Sequence, residues 1–223
     1  SGLARDPVTV HLVRHGQSTW NVEGRLQGQT VHPELTERGR REAAEAAALL
    51  RARCPGTGED VGLICSDLVR AAQTAAVIGQ VLGVIVEQDV ALREQGLGVL
   101  EGRLTKELVP EPTPEGLDIT EVRWGGGESI EDVPDRLGTF FERVLPAAPP
   151  HLVLVTHGDT LRVARAWLQG RGHRDVDWDL VPNGFVTTLA VEAGRLRDQE
   201  RLSRHQRRAS GRTAGPDSIR SAH

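Results

Sequence analysis

Two short segments constrain this chain more than any others. Leu12-Val13-Arg14-His15-Gly16 and Leu154-Val155-Thr156-His157-Gly158 each read as the end of a buried strand followed by His-Gly. The runs Val10–Val13 and Leu152–Val155 are short, β-branched and bounded by turn signals, as expected of strands covered on both faces of a parallel sheet. In an open α/β sheet, ligands bind beyond the carboxyl ends of the strands. Both imidazoles are therefore expected in one crevice.

The rest of the chain alternates in the way such a sheet requires. Thr36 reads as the N-cap of a helix running to residue 53, with Glu37 in its first turn and Pro55-Gly56 closing it. Val61–Cys65 predicts a second strand, residues 68–82 a helix stopped by Gly83, and Val84–Val86 a third strand. Residues 92–127, with Pro110, Pro112, Pro114 and Gly125-Gly126-Gly127, predict an irregular excursion or lid. A helix over about 130–145, a strand over 152–155, a helix capped by Asp159 and reaching Leu168, and a strand over 184–191 complete the pattern. The fold class is α/β, a three-layer α/β/α arrangement with a mostly parallel central sheet.

Composition sets limits around that core. With 223 residues, 38% hydrophobic and 26% charged, the chain suits one soluble catalytic domain, placed at residues 1–194. No apolar run approaches the ~20 residues that span a bilayer, and no signal peptide is apparent, so a cytoplasmic protein without a membrane partner is expected. Residues 195–223 carry eight arginines against Asp198, Glu200 and Asp217 and read as a basic, disordered tail. No aromatic residues interleave those arginines, so nucleic acid is not the expected partner. Cys54 and Cys65 are too few for a disulfide scaffold and lack metal-ligand spacing in sequence; they read as small buried hydrophobes.

The chemistry follows from what stands beside the histidines. Arg14 adjoins His15, and Arg70 lies just past the second strand. Guanidinium groups bind phosphate through paired donors and neutralise the oxygens of a transferring phosphoryl group. Two Arg and two His around one cavity make a pocket for a dianion. Carboxylates do not cluster beside the histidines, so no metal and no cofactor are expected there. Two nearby guanidiniums favour the neutral form of an imidazole. Glu94, taken alone, reads as a surface carboxylate.

With these residues in view, the sequence resembles the histidine phosphatase (phosphoglycerate mutase-like) superfamily, phosphatase branch, over about residues 8–191. The carriers are Arg14-His15-Gly16-Gln17-Ser18 with Trp20-Asn21, Leu26-Gln27-Gly28-Gln29, Leu35-Thr36-Glu37-Arg38-Gly39 and Ser66-Asp67-Leu68-Val69-Arg70-Ala71-Ala72-Gln73-Thr74-Ala75. Leu92-Arg93-Glu94, Glu101-Gly102, Gly126-Gly127-Glu128-Ser129 and Val155-Thr156-His157-Gly158 follow in order. The resemblance implies His15 as the nucleophile that becomes phosphohistidine and Glu94 as general acid and base. It further implies Arg14, Arg70 and His157 on the phosphoryl oxygens, with Gly16, Ser18, Asn21, Gln27, Gly28 and Gly158 lining the substrate site. The activity implied is metal-independent hydrolysis of a small phosphorylated metabolite. The alternatives are a cofactor-dependent mutase and a non-catalytic phosphate-binding protein.

Three positions depart from the family pattern: Val31 in place of Asp, Leu100 in place of Trp, and Gly125 in place of Pro. They bear on specificity more than on catalysis. Glu94 and His157 lie 63 positions apart, too close for the long basic insertion of the mutase branch, which favours a phosphatase. Glu101, Glu107, Glu111 and Glu115 make the excursion acidic, which disfavours bisphosphates.

Overall fold

A computed structural model describes residues 6–56 and 58–192. The expected basic tail lies outside the described residues. Five strands, β1 (Val8–Arg14), β2 (Val61–Cys65), β3 (Val86–Gln88), β4 (His151–Thr156) and β5 (Val186–Val191), form one sheet in the order β3-β2-β4-β1-β5. The first four are mutually parallel, and β5 runs antiparallel along β1. This is the expected α/β class.

Side chains alternate across the strands and build a core on each face. Val10, Leu12, Leu152 and Leu154 point to one side, where α4 (Val133–Val144) and α5 (Gly158–Leu168) bring Leu137, Phe140, Phe141 and Leu161. Val13, Val153 and Val155 point to the other, against Ala46, Ala47 and Leu50 of α2 (Glu37–Arg53) and Ala71, Ala75 and Ile78 of α3 (Val69–Leu82). Small alanines on α2 and α3 let the two helices lie close together and close to the sheet. Deleting the fully buried Phe141 side chain would cost about 3–5 kcal/mol.

Local signals mostly act where the sequence places them. Thr36 accepts from the Gly39 amide and starts α2, and Gly83, with φ 68°, ends α3 in the left-handed conformation that glycine adopts without strain. Three expectations need correction. The third strand is Val86–Gln88 rather than 84–86, because the Val84 amide donates to the Gly79 carbonyl and belongs to the end of α3. The N-cap of α5 is His157, with Asp159 inside the first turn. A five-residue helix, α1 (Thr19–Glu23), has no counterpart in the sequence reading; Ser18 and Asn21 cap it reciprocally.

The run Val10–Val13 is interrupted by His11, which is nevertheless fully buried. Its Nδ1 lies 2.9 Å from the Thr188 hydroxyl and its Nε2 lies 3.0 Å from His151 Nδ1. Burial, with help from His151 and Arg53, pulls its pKa down to about 4. Cys54 and Cys65 are buried free thiols, as expected, but Cys54 Sγ comes within 3.4 Å of His11 Nε2. Among the described residues, no helix is long and apolar enough to cross a membrane.

Candidate active site

β1 and β4 are parallel neighbours, so their carboxyl ends deliver His15 and His157 side by side. The His15 amide donates to the Thr156 carbonyl at 3.0 Å, fixing one loop on the other. The two rings are 5.1 Å apart, inclined at 62°, and both are buried. His15 Nδ1 lies 2.6 Å from the Gly16 carbonyl oxygen. A carbonyl can only accept, so Nδ1 carries the proton and Nε2 keeps its lone pair. His157 is oriented through Nε2, 2.8 Å from the Ser66 hydroxyl, while its buried Nδ1 has no hydrogen-bond partner.

The guanidiniums are held from behind in the same manner. Arg70, in the first turn of α3, is 1% exposed and donates to the carbonyls of Thr30 (2.7 Å) and Gly28 (2.8 Å). Arg14 donates to the Val181 carbonyl at 2.6 Å. Their Nε atoms are buried without a partner, like His157 Nδ1. A buried donor left unpaired costs about 1–3 kcal/mol. Arg14 and Arg70 both act electrostatically on the imidazole pair, and an acceptor-rich anion beside it would satisfy these groups.

The electrostatics agree. Burial, then Arg70 and Arg14, hold the His15 pKa well below its ordinary value; the Gly16 carbonyl opposes this. Burial and Arg70 do the same to His157, with smaller pushes from His15, Arg136 and Arg14. Burial lowers Arg14 and brings Arg70 to about 10, while Glu94 works in the opposite direction on both. Positive charge is thus crowded and desolvated, and a dianion would relieve it.

Glu94 lies at the N-terminus of α5. One carboxylate oxygen accepts from the Gln95 amide, the Thr160 amide and the Thr160 hydroxyl, each at 3.0 Å, and the other accepts from the Asp159 amide at 3.2 Å. Beside it, the Asp159 carboxyl is pushed up to about 6 by burial and by Glu94, against the pull of Arg162 and Arg14. The Asp159 side chain is 40% exposed, so water screens part of that push.

The remaining expected substrate residues divide by role. Gly28 serves Arg70: its carbonyl is the acceptor, its φ is 49°, and a Cβ there would lie 2.6 Å from the Glu101 carboxylate. The hydroxyl of Ser18 is within 2.6 Å of Gln27 Oε1 and 3.0 Å of Asn21 Oδ1, so these three side chains brace one another beside α1. Neither Gly16 nor Gly158 has positive φ. A Cβ on Gly16 would meet the Gly39 carbonyl oxygen at 2.2 Å, whereas one on Gly158 would reach only ordinary contact with Arg14 Nε at 3.4 Å. Gly16 is therefore required by close backbone packing.

Several site residues escaped the sequence reading. Ser66 orients His157, and Thr74 accepts from the Gly16 amide while donating to the Arg70 carbonyl. Asn183 donates to the His15 carbonyl, and Arg136 and Gln29 both donate to the Glu94 carbonyl. Ser66, Thr74 and Gln29 sit inside the family motifs, which carry a readable signal; Asn183 and Arg136 have none. The excursion is an ordered brace: the amides of Leu26 and Gly102 donate to Arg103 and Leu26, and Glu101 accepts from the Gln29 amide. Gly125 has φ 64°, which proline cannot adopt, so the excursion here follows a path closed to the usual residue. Among the described residues, the side chains spaced to share a metal ion lie elsewhere, in His11-Cys54-His151 and Glu121-Glu131-His173.

Residues 10–201 match the profile of the histidine phosphatase superfamily (branch 1). The chain belongs to the histidine phosphatase superfamily. It is 37% identical over 163 residues to "Probable phosphoglycerate mutase GpmB" of Cronobacter sakazakii, covering 68% of this chain and 70% of that protein. Among solved structures it resembles a mycobacterial glucosyl-3-phosphoglycerate phosphatase determined with VO3, at 31% identity and TM-score 0.70, covering 82% of this chain and 92% of that one. A Mycobacterium tuberculosis protein, Rv3214, aligns at 27% identity and TM-score 0.67, covering 84% and 93%. The family profile spans both His15 and His157.

Proposed function

We propose that the chain is a phosphatase that hydrolyses a small phosphomonoester through a phosphohistidine on His15. The observation that carries this reading is the set of three buried, partnerless donors, Arg14 Nε, Arg70 Nε and His157 Nδ1, around an imidazole whose Nε2 lone pair is free. In the first step, His15 Nε2 attacks phosphorus in line, the P–O bond to the leaving alkoxide breaks, and Glu94 supplies the proton the alkoxide needs. In the second step, Glu94 takes a proton from water, the oxygen attacks phosphorus, and the P–N bond breaks. Charge on the equatorial oxygens is met by Arg14, Arg70 and His157, groups already fixed by Val181, Thr30, Gly28 and Ser66.

The mutase reading is favoured by the names of the curated relatives. Physical chemistry favours hydrolysis. A mutase substrate carries a second anionic group, yet three of the four arginines between Glu94 and His157 already face carboxylates, Arg123 with Asp132, Arg136 with Glu128 and Arg143 with Asp89, which leaves Arg103 and Lys106 as the cations there outside those ion pairs.

The test is release of inorganic phosphate from p-nitrophenyl phosphate and from a panel of phosphorylated metabolites, with acid-labile label trapped on the protein. Wild type should turn over in EDTA and carry label on His15. His15→Ala should lose both, by at least ~10⁴-fold in kcat. Undiminished release by His15→Ala would overturn the mechanism, and isomerisation of 3-phosphoglycerate outpacing its hydrolysis would favour the mutase.

A further inference from the structure

β1 and β4 carry a second histidine pair, upstream of the first on both strands. His11 Nε2 lies 3.0 Å from His151 Nδ1 and 3.4 Å from Cys54 Sγ, and the three donor atoms all lie within 4.8 Å of one another. Zinc takes nitrogen at ~2.0–2.1 Å and thiolate sulfur at ~2.3 Å in a tetrahedron, which puts N–N edges near roughly 3.3 Å and N–S edges near roughly 3.6 Å. The observed spacings need to open by only a few tenths of an ångström.

The outer contacts fit the same ion. Thr188 Oγ1 accepts from Arg53 Nη1 at 3.1 Å and lies 2.9 Å from His11 Nδ1. A hydroxyl has two acceptor lone pairs, so it can also take a proton donated from His11 Nδ1. That leaves the Nε2 lone pair directed at Cys54 and His151. A ligating imidazole held through its other nitrogen is the usual support of a metal site.

We propose that His11, Cys54 and His151 form a zinc site separate from the phosphate crevice. The donor set selects the ion: two imidazoles and a thiol suit zinc and exclude magnesium or calcium. On binding, the Cys54 thiol gives its proton to solvent as the Zn–S bond forms, and both imidazoles bind neutral through their lone pairs. No electron is transferred. The new thiolate offsets charge from the ion and from Arg53, which stands behind Thr188. Half-buried His151 leaves one side for water as the fourth ligand. The ion would clip together β1, the end of α2 and the start of β4.

The experiment uses the untagged full chain, stripped with chelator, then titrated with cobalt(II) and zinc(II). We expect one equivalent of cobalt with a thiolate charge-transfer band and visible bands of tetrahedral intensity. At zinc about a thousandfold above Kd, the thermal midpoint should rise roughly 8–16 °C. His15→Ala, although inactive as a phosphatase, should give the wild-type cobalt band and zinc-induced rise. Cys54→Ala and His151→Gln should lose the band and the rise, and a metal-free midpoint near that of wild type shows that each still folds. Absence of the band in wild type overturns the site. So does a band that survives Cys54→Ala, which would belong to Cys65, or one lost in His15→Ala, which would place the cation in the crevice.

Discussion

The same two strands position two histidine pairs at nearly equal ring spacing but different tilt: His15 and His157 with rings 5.1 Å apart and inclined at 62°, and His11 and His151 with rings 5.3 Å apart and inclined at 21°. Their neighbours make them opposites. The downstream pair sits among desolvated guanidiniums with spare donors, so the space it borders attracts anions. The upstream pair meets a thiol and a hydroxyl, which offer electron pairs, so the space between them suits a cation. An imidazole donates or accepts according to its tautomer: the Gly16 carbonyl fixes that of His15, whereas the Thr188 hydroxyl, which can donate or accept, allows His11 to present its Nε2 lone pair. The histidine pair alone therefore predicts neither chemistry.

Arg70→Lys should separate the two sites most sharply. A lysine cannot serve the Gly28 and Thr30 carbonyls through a rigid fork and still offer a donor to phosphate. We expect kcat/KM to fall about 10²–10³-fold. Inorganic phosphate should no longer raise the thermal midpoint, whereas the zinc-induced rise should remain. A variant that keeps its phosphate response would show that Arg14 and His157 suffice to hold the anion. Next in size is Gly16→Ala. Its new methyl would press on the Gly39 carbonyl, which is backbone and cannot swing aside. A stability loss of about 1–3 kcal/mol is expected by denaturant unfolding, with weaker phosphate binding as the His15 loop is displaced. Wild-type stability in that variant would return Gly16 to a role in ligand approach.

The legibility of the two sites in the sequence differs for a physical reason. His15 and His157 follow apolar strand ends, where topology alone brings their loops together, and their partners Arg14 and Arg70 stand close to strand ends in sequence. The cluster of His11, Cys54 and His151 depends on the register of β1 against β4 and on where α2 stops, neither of which leaves a local pattern. The edge strand β3 was misplaced for a related reason. Glu87 and Gln88 are exposed and polar, and they are strand because their backbones pair with β2. Helix α1 is too short for periodicity, and only the Ser18–Asn21 cap marks it. Ser66 was visible as a motif member, but its hold on His157, 91 positions away, is a tertiary fact.

The smallest expected effect concerns acid, and its sign follows from the crevice. In the folded chain His15 and His157 have pKa values held well below 6.5, chiefly by burial and by Arg70, whereas the unfolded chain restores ordinary imidazoles. Below pH 6.5 the unfolded state therefore binds more protons than the folded state. The stability these neutral rings permit is full above that pH and is lost as the pH falls toward their folded values. Asp159, raised to about 6, works the other way, though its exposure weakens it. The net expectation is a thermal midpoint that drops by several degrees between pH 7 and pH 5. Inorganic phosphate should shrink that drop, because an anion between Arg14, Arg70 and His157 removes the penalty on a protonated imidazole. A midpoint equally acid-sensitive with and without phosphate would mean that the anion does not reach His157, and the contrast between the two pairs would then rest on Arg70 alone.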